Sequence, residues 1–209
     1  MLAVVVLLAI AMLLACNSTY SASSDGLVIV PSFGSAAVQA FSFNLTNGHA
    51  SAVNTGPPIL GQPTAMVLDP SGNYAYVAVM PNAQVFNTLT STSIVTYTIN
   101  SDGTLAATGT PVAMLTLPGG AISPVAMKID SAGQFLFVAD QQATDSNGNT
   151  VPGSISVFSI GSGGTLTEVT GSPFTVPVLQ VGPTTIANLT GLAVTPTKYP
   201  TLNLSLIHI

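Results

Sequence analysis

The chain has 209 residues, with two Lys/Arg, seven Asp/Glu and a formal net charge of −5. Charged residues make up 4% of it, against about 25% in an ordinary soluble domain, and Arg and Trp are absent. So few cations exclude the counterion-displacing surface of a nucleic-acid binder and the cationic clamps of phosphate chemistry; a 47% hydrophobic content excludes disorder. The polarity that remains is Thr and Ser, with Gly and Pro as turn formers. Thr, Val, Tyr, Phe and Ile suit a pleated surface, while Glu, Lys and Arg, the strong helix formers, are nearly missing. The composition predicts an all-β fold.

Residues 2–15 form an unbroken apolar run that stops at Cys16. Its length is short of the roughly 20 residues of a membrane-spanning helix and fits the apolar core of a signal peptide, although no basic segment precedes it. Leu13-Leu14-Ala15-Cys16 resembles the bacterial lipobox, which implies a signal peptide over 1–16 and a diacylglyceryl anchor on the Cys16 thiol. A single cysteine permits no disulfide within the chain. Residues 17–26 are rich in Ser and read as a tether.

From there the sequence repeats itself. Pro63-Thr-Ala-Met-Val-Leu-Asp69-Pro-Ser-Gly72-Asn-Tyr-Ala-Tyr-Val-Ala matches Pro124-Val-Ala-Met-Lys-Ile-Asp130-Ser-Ala-Gly133-Gln-Phe-Leu-Phe-Val-Ala, 61 residues later. A period-two strand follows each copy, at residues 94–100 and 155–161, with an earlier relative at 38–44. Asn47-Gly48, Asp102-Gly103 and Gly163-Gly164 then mark hairpins. A last strand is expected to end at Pro58, Pro111 and Pro173, because proline denies the ladder a donor. Four strands joined by short turns and repeated in series are the blades of a β-propeller. The predicted architecture is an incomplete circle over 27–209. It has a partial blade at about 27–58 lacking its innermost strand, full blades at about 63–115 and 124–177, and a further inner strand from 189.

The string Pro-x-x-Met-x-hydrophobic-Asp-x-x-Gly-x-aromatic-x-aromatic-Val-Ala, then an aromatic-centred strand and Asp-Gly-Thr-Leu, resembles the seven-bladed lactonase-type propeller family. That family is kin to the YVTN-repeat surface proteins. The resemblance implies a longer protein of which this chain supplies about three blades.

Chemistry-bearing residues are few. His49 follows a turn where the other copies have Thr104 and Thr165, and reads as a surface residue. His208 lies in a terminal stretch, 201–209, that departs from the repeat, and carries no weight. Asp69 and Asp130 share one repeat position and are read as turn caps, as is Asp102. Glu168 aligns with Ala107 in an outer strand and is read as a solvated edge charge. Lys128 replaces Val67 on a strand facing the central channel and is read as a snorkelling side chain. The stretch Asp140-Gln-Gln-Ala-Thr-Asp145-Ser-Asn147-Gly-Asn149 clusters oxygen ligands but lacks the glycine and glutamate of a calcium loop. It reads as a plain loop, with a weak structural cation as the alternative. Asn17, Asn44, Asn188 and Asn203 open Asn-x-Ser/Thr triplets that a bacterial lipoprotein leaves unused.

No nucleophile elbow, phosphate loop or zinc motif is present, so no catalytic, metal or cofactor residue is assigned and no cofactor is expected. The leading expectation is an envelope-anchored or secreted binding or scaffold module without catalysis in this span. Its partner would be an undefined protein or carbohydrate, and membrane contact would come through the lipid alone. The alternatives are a lactonase-type hydrolase of sugar lactones, implied by the family resemblance, and a surface-layer or adhesion component.

Overall fold

A computed structural model describes residues 25–32, 37–55, 61–81, 89, 91–115, 122–141, 143–144, 150–151, 153–176 and 189–195. Cys16, the tether up to residue 24, Asp145, Asn147, Asn149 and His208 lie outside them. No helix among the described residues is long and apolar enough to cross a membrane.

Apolar–polar alternation produces strands throughout, and they assemble into antiparallel sheets. The first sheet has β1 (Asp25–Ser32), β2 (Ala37–Asn44) and β3 (Ala50–Thr55), in that order. The second has β4 (Gln62–Leu68), β5 (Tyr74–Met80), β6 (Ser93–Ile99) and β7 (Leu105–Ala113). The third has β8 (Ser123–Ile129), β9 (Phe135–Gln141), β12 (Ser154–Ile160) and β13 (Leu166–Glu168), and β14 (Phe174–Thr175) also pairs with β12. A small ribbon, β10 (Ala143–Thr144) with β11 (Thr150–Val151), rises between β9 and β12.

The repeat is reproduced position by position. β8, β9 and β12 begin 61 residues after β4, β5 and β6, and the ladders slip at equivalent points, Pro63/Ala65 and Pro124/Ala126. By the same alignment β1 corresponds to β5, so the first sheet has three strands where its neighbours have an additional inner one. The sheets stack through their faces. Val38, Ala40, Val77, Val79 and Tyr97 close the seam between the first and second. Tyr76, Ile94, Met127, Leu136, Val138 and Phe158 close the next. The inner strands β4 and β8 lie side by side.

Two expectations need correction. Pro111 does not end its strand: β7 runs on to Ala113, and pairing jumps from Thr96↔Thr108 to Ile94↔Val112, so the proline sits in a bulge where no ladder donor is required. Residues 189–195, expected to open an inner strand, join no ladder. They seat Leu189 and Leu192 on Ala139 and Ile155 of the third sheet, the burial a following blade would make.

Antiparallel order sorts the connections. Those at 45–49, 69–73, 100–104, 130–134 and 161–165 are five-residue turns at one end of the sheets. The remaining connections, four to twelve residues long in the sequence, leave from the other end, at Ser32, Thr55, Met80, Ala113 and Gln141. One end is closed by repeated five-residue turns, whereas the strands at the other are joined through sequence segments of unequal length, the usual place for binding groups on a rigid scaffold.

Candidate functional site

At the turn end, the carboxylates are occupied by backbone. Asp69 Oδ1 accepts the Tyr74 N–H at 2.7 Å, and its Oδ2 accepts the Ser71 N–H at 3.1 Å and the Ser71 hydroxyl. Asp130 Oδ1 accepts the Gln134 and Phe135 N–H groups at 2.7 and 2.8 Å. Asp102 Oδ1 accepts the Thr104 hydroxyl at 2.6 Å and its N–H at 2.9 Å, and this holds the carboxyl below its ordinary value. These three are turn caps, as expected. His49 is exposed, with its N–H given to Asn47 Oδ1 at 2.9 Å.

The connection end is different. Asp140, one residue before the end of β9, is 2% exposed. Strand alternation puts its side chain on the face of Leu136 and Val138, in the seam against the second sheet. Its Oδ2 accepts hydroxyls of two residues on β12, Ser156 at 2.9 Å and Ser154 at 3.3 Å, while Oδ1 is buried with no hydrogen-bond partner. Burial pushes the Asp140 carboxyl up to about 7; the two serines oppose the shift and the Glu168 charge adds to it. Gly153, at the start of β12, makes the close strand approach: a Cβ there would lie 2.6 Å from the Asp140 carbonyl oxygen.

Around this acid the seam is stitched by polar contacts. Thr92 Oγ1 donates to the Ile122 carbonyl at 3.1 Å. Glu168 accepts the Leu115 N–H on Oε2 at 3.0 Å and the Ser172 hydroxyl on Oε1 at 2.8 Å. Glu168 is therefore a half-buried tie between sheets rather than a solvated edge charge. Lys128 is exposed on β8, opposite Phe137. Pro124 is the β8 partner of Asp140, which places Lys128 four positions, roughly 13 Å, along the strand from the acid. The two are not brought together. No three His, Cys, Asp or Glu side chains gather among the described residues.

In the sequence Asp140 stands at the head of a stretch of oxygen ligands; the fold places its carboxylate in the seam. Comparison of the copies one residue beyond the matched string marks it, because Asp140 stands where the second sheet has Val79.

A concavity of about 580 Å³ opens at the turn end between the first sheet and the β6–β7 turn, lined in part by Leu27, Ser42, Val53, Asn100 and Asp102.

A family model described as "Lactonase, 7-bladed beta-propeller" matches residues 19–177. No curated protein matches the chain in sequence. Among solved structures, a candidate 6-phosphogluconolactonase of Bacteroides uniformis superposes with a TM-score of 0.55 at 16% identity, covering 81% of this chain and 41% of that one. One from Bacteroides fragilis superposes with a TM-score of 0.50 at 17% identity, covering 72% and 36%. This chain thus spans about two fifths of their length, and at such identity the likeness establishes the fold alone.

Proposed function

This chain belongs to the seven-bladed β-propeller lactonase family, and on that premise we propose that the whole protein hydrolyses a lactone bound at the end carrying the long connections. The family match over 19–177 is the observation that carries this reading. In such a reaction water attacks the acyl carbon and gives its proton to a base. The ring C–O bond then breaks, the departing alkoxide takes up a proton, and an open hydroxy acid results. Asp69, Asp102 and Asp130 are committed to turns and Asp140 is buried, so none of these four is offered as a reacting group.

The test is base uptake at constant pH by the full-length protein with glucono-δ-lactone and with its 6-phosphate. Hydrolysis of the neutral ring above its spontaneous rate supports the reading. Saturable binding of either ring without turnover transfers the support to a second reading, a carbohydrate- or protein-binding module, which the commitment of Asp69, Asp102 and Asp130 to backbone turns favours.

The protein is further proposed to sit in the cell envelope through a lipid on Cys16, with 17–26 as the spacer. Cys16→Ser should move it from the membrane to the soluble fraction; unchanged membrane association would remove the anchor from the proposal.

A further inference from the structure

Because the second and third sheets are copies offset by 61 residues, equivalent positions meet equivalent surroundings. Val79 and Val95 are buried in the seam that the second sheet makes with the first. Their equivalents in the third sheet are Asp140 and Ser156, just as deeply buried in the next seam. An apolar pair in one seam is thus an acid hydrogen-bonded to a hydroxyl in the next.

A buried carboxylate is costly unless a cation or a full set of donors compensates it. Asp140 has two hydroxyls on one oxygen and none on the other. The elements packed around it contribute no described cation. β8 presents Pro124 and Met127 here and keeps Lys128 toward the turn end, and β12 presents Ser154, Ser156 and Phe158. The second sheet and its connection to β8 present Ile94, Met114 and Ile122. Among the described residues, the charge that bears on Asp140 is Glu168 on β13, the weakest of the influences on its carboxyl; it is held by Ser172, whose hydroxyl accepts the Val157 N–H next to Ser156, and is itself tied to Leu115 of the second sheet.

We propose that Asp140 and Glu168 form a proton-operated latch on the seam between the second and third sheets, shut when Asp140 is neutral and loosened at the connection end when it ionises. The neutral acid fits an enclosure with two donors and no cation. The ionised one leaves Oδ1 bare and repels Glu168, the group that holds the Leu115 N–H. The direction of the pH effect follows from burial, which raises the native carboxyl from 3.8 to about 7. The native state then holds the proton more tightly than the unfolded chain. The latch contributes its full stabilisation below the unfolded value, loses it progressively as pH rises toward 7, and contributes none above.

The test is thermal unfolding of the chain from pH 5 to pH 8, compared with Asp140→Asn, with the double variant Asp140→Val/Ser156→Val that restores the neighbouring seam's residues, and with Glu168→Gln. The unsubstituted protein should lose about 5–10 °C in Tm over that span, and both Asp140 variants should lose far less. Glu168→Gln, by removing the nearby charge, should make the fall smaller and complete it at lower pH. Amide exchange at Leu115, corrected for the intrinsic pH dependence, should speed up from pH 5 to pH 8 in the parent and not in Asp140→Asn. Equal pH slopes in the parent and in whichever Asp140 variant folds would overturn the latch, as would unchanged Leu115 protection.

Discussion

The Glu168 carboxylate accepts the backbone N–H of Leu115, 53 residues earlier in the chain, at 3.0 Å, and so binds the outer strand of one sheet to the exit of the sheet before it. Its other oxygen is held by the Ser172 hydroxyl, which in turn accepts the Val157 N–H at 3.0 Å. Glu168→Ala removes a charge-assisted acceptor from an exposed backbone N–H and should cost about 0.5–1 kcal/mol in urea unfolding. Glu168→Gln keeps an acceptor and should cost less. An alanine variant as stable as the parent would return Glu168 to the solvated edge.

The turn caps are repeats of one another and should behave alike. Asp69→Ala and Asp130→Ala each free two backbone N–H groups, so each should lower stability by about 1 kcal/mol. The turns share no hydrogen-bond partner, although Pro70 of one lies beside Gly133 of the other, so the double variant should lose close to the sum unless that contact couples them. Strong non-additivity would mean that the turns communicate through the seam.

Gly163 and Gly164 are neighbours with nearly the same backbone, φ 71° and 73°, and different surroundings. A Cβ at Gly163 meets nothing within 4 Å, whereas one at Gly164 would lie 2.7 Å from Tyr74 Cδ1 across the seam. Gly163→Ala should therefore cost only the left-handed backbone penalty of about 1–2 kcal/mol, and Gly164→Ala that amount plus displacement of Tyr74. Equal losses for the two would show that the Tyr74 ring yields freely.

Tyr76 is wholly buried and its hydroxyl has no hydrogen-bond partner. Burial, with the Asp69 charge and Tyr74 adding to it, pushes it up to about 12. Removing an unsatisfied buried hydroxyl relieves a desolvation cost, so Tyr76→Phe should be neutral or stabilising by up to about 1 kcal/mol. Absorbance titration should show one fewer phenol ionising near pH 12 in the variant. A loss above about 1 kcal/mol in chemical unfolding would mean that the hydroxyl has a partner.

Much of this protein was legible from residue order. A 61-residue repeat, period-two strands and Asp/Gly turn pairs are local signals. A turn needs only its own few residues to adopt positive φ, and a strand declares its faces by alternation. That is why the four-stranded blades, the Asp69 and Asp130 caps and the propeller family could all be read from the sequence. What tertiary structure alone decided is which faces meet. Glu168 looks like an edge charge until Leu115 is brought to it, and Pro111 looks like a terminator until the bulge removes the need for its missing donor. Asp140 stands at the head of a polar loop in the sequence, yet strand register turns its carboxylate into a seam occupied elsewhere by valine. The physical reason is common to the three: burial and hydrogen-bond partners depend on residues on other strands, from 14 positions away for Asp140 and Ser154 to 53 for Glu168 and Leu115, and local pattern carries no record of that distance.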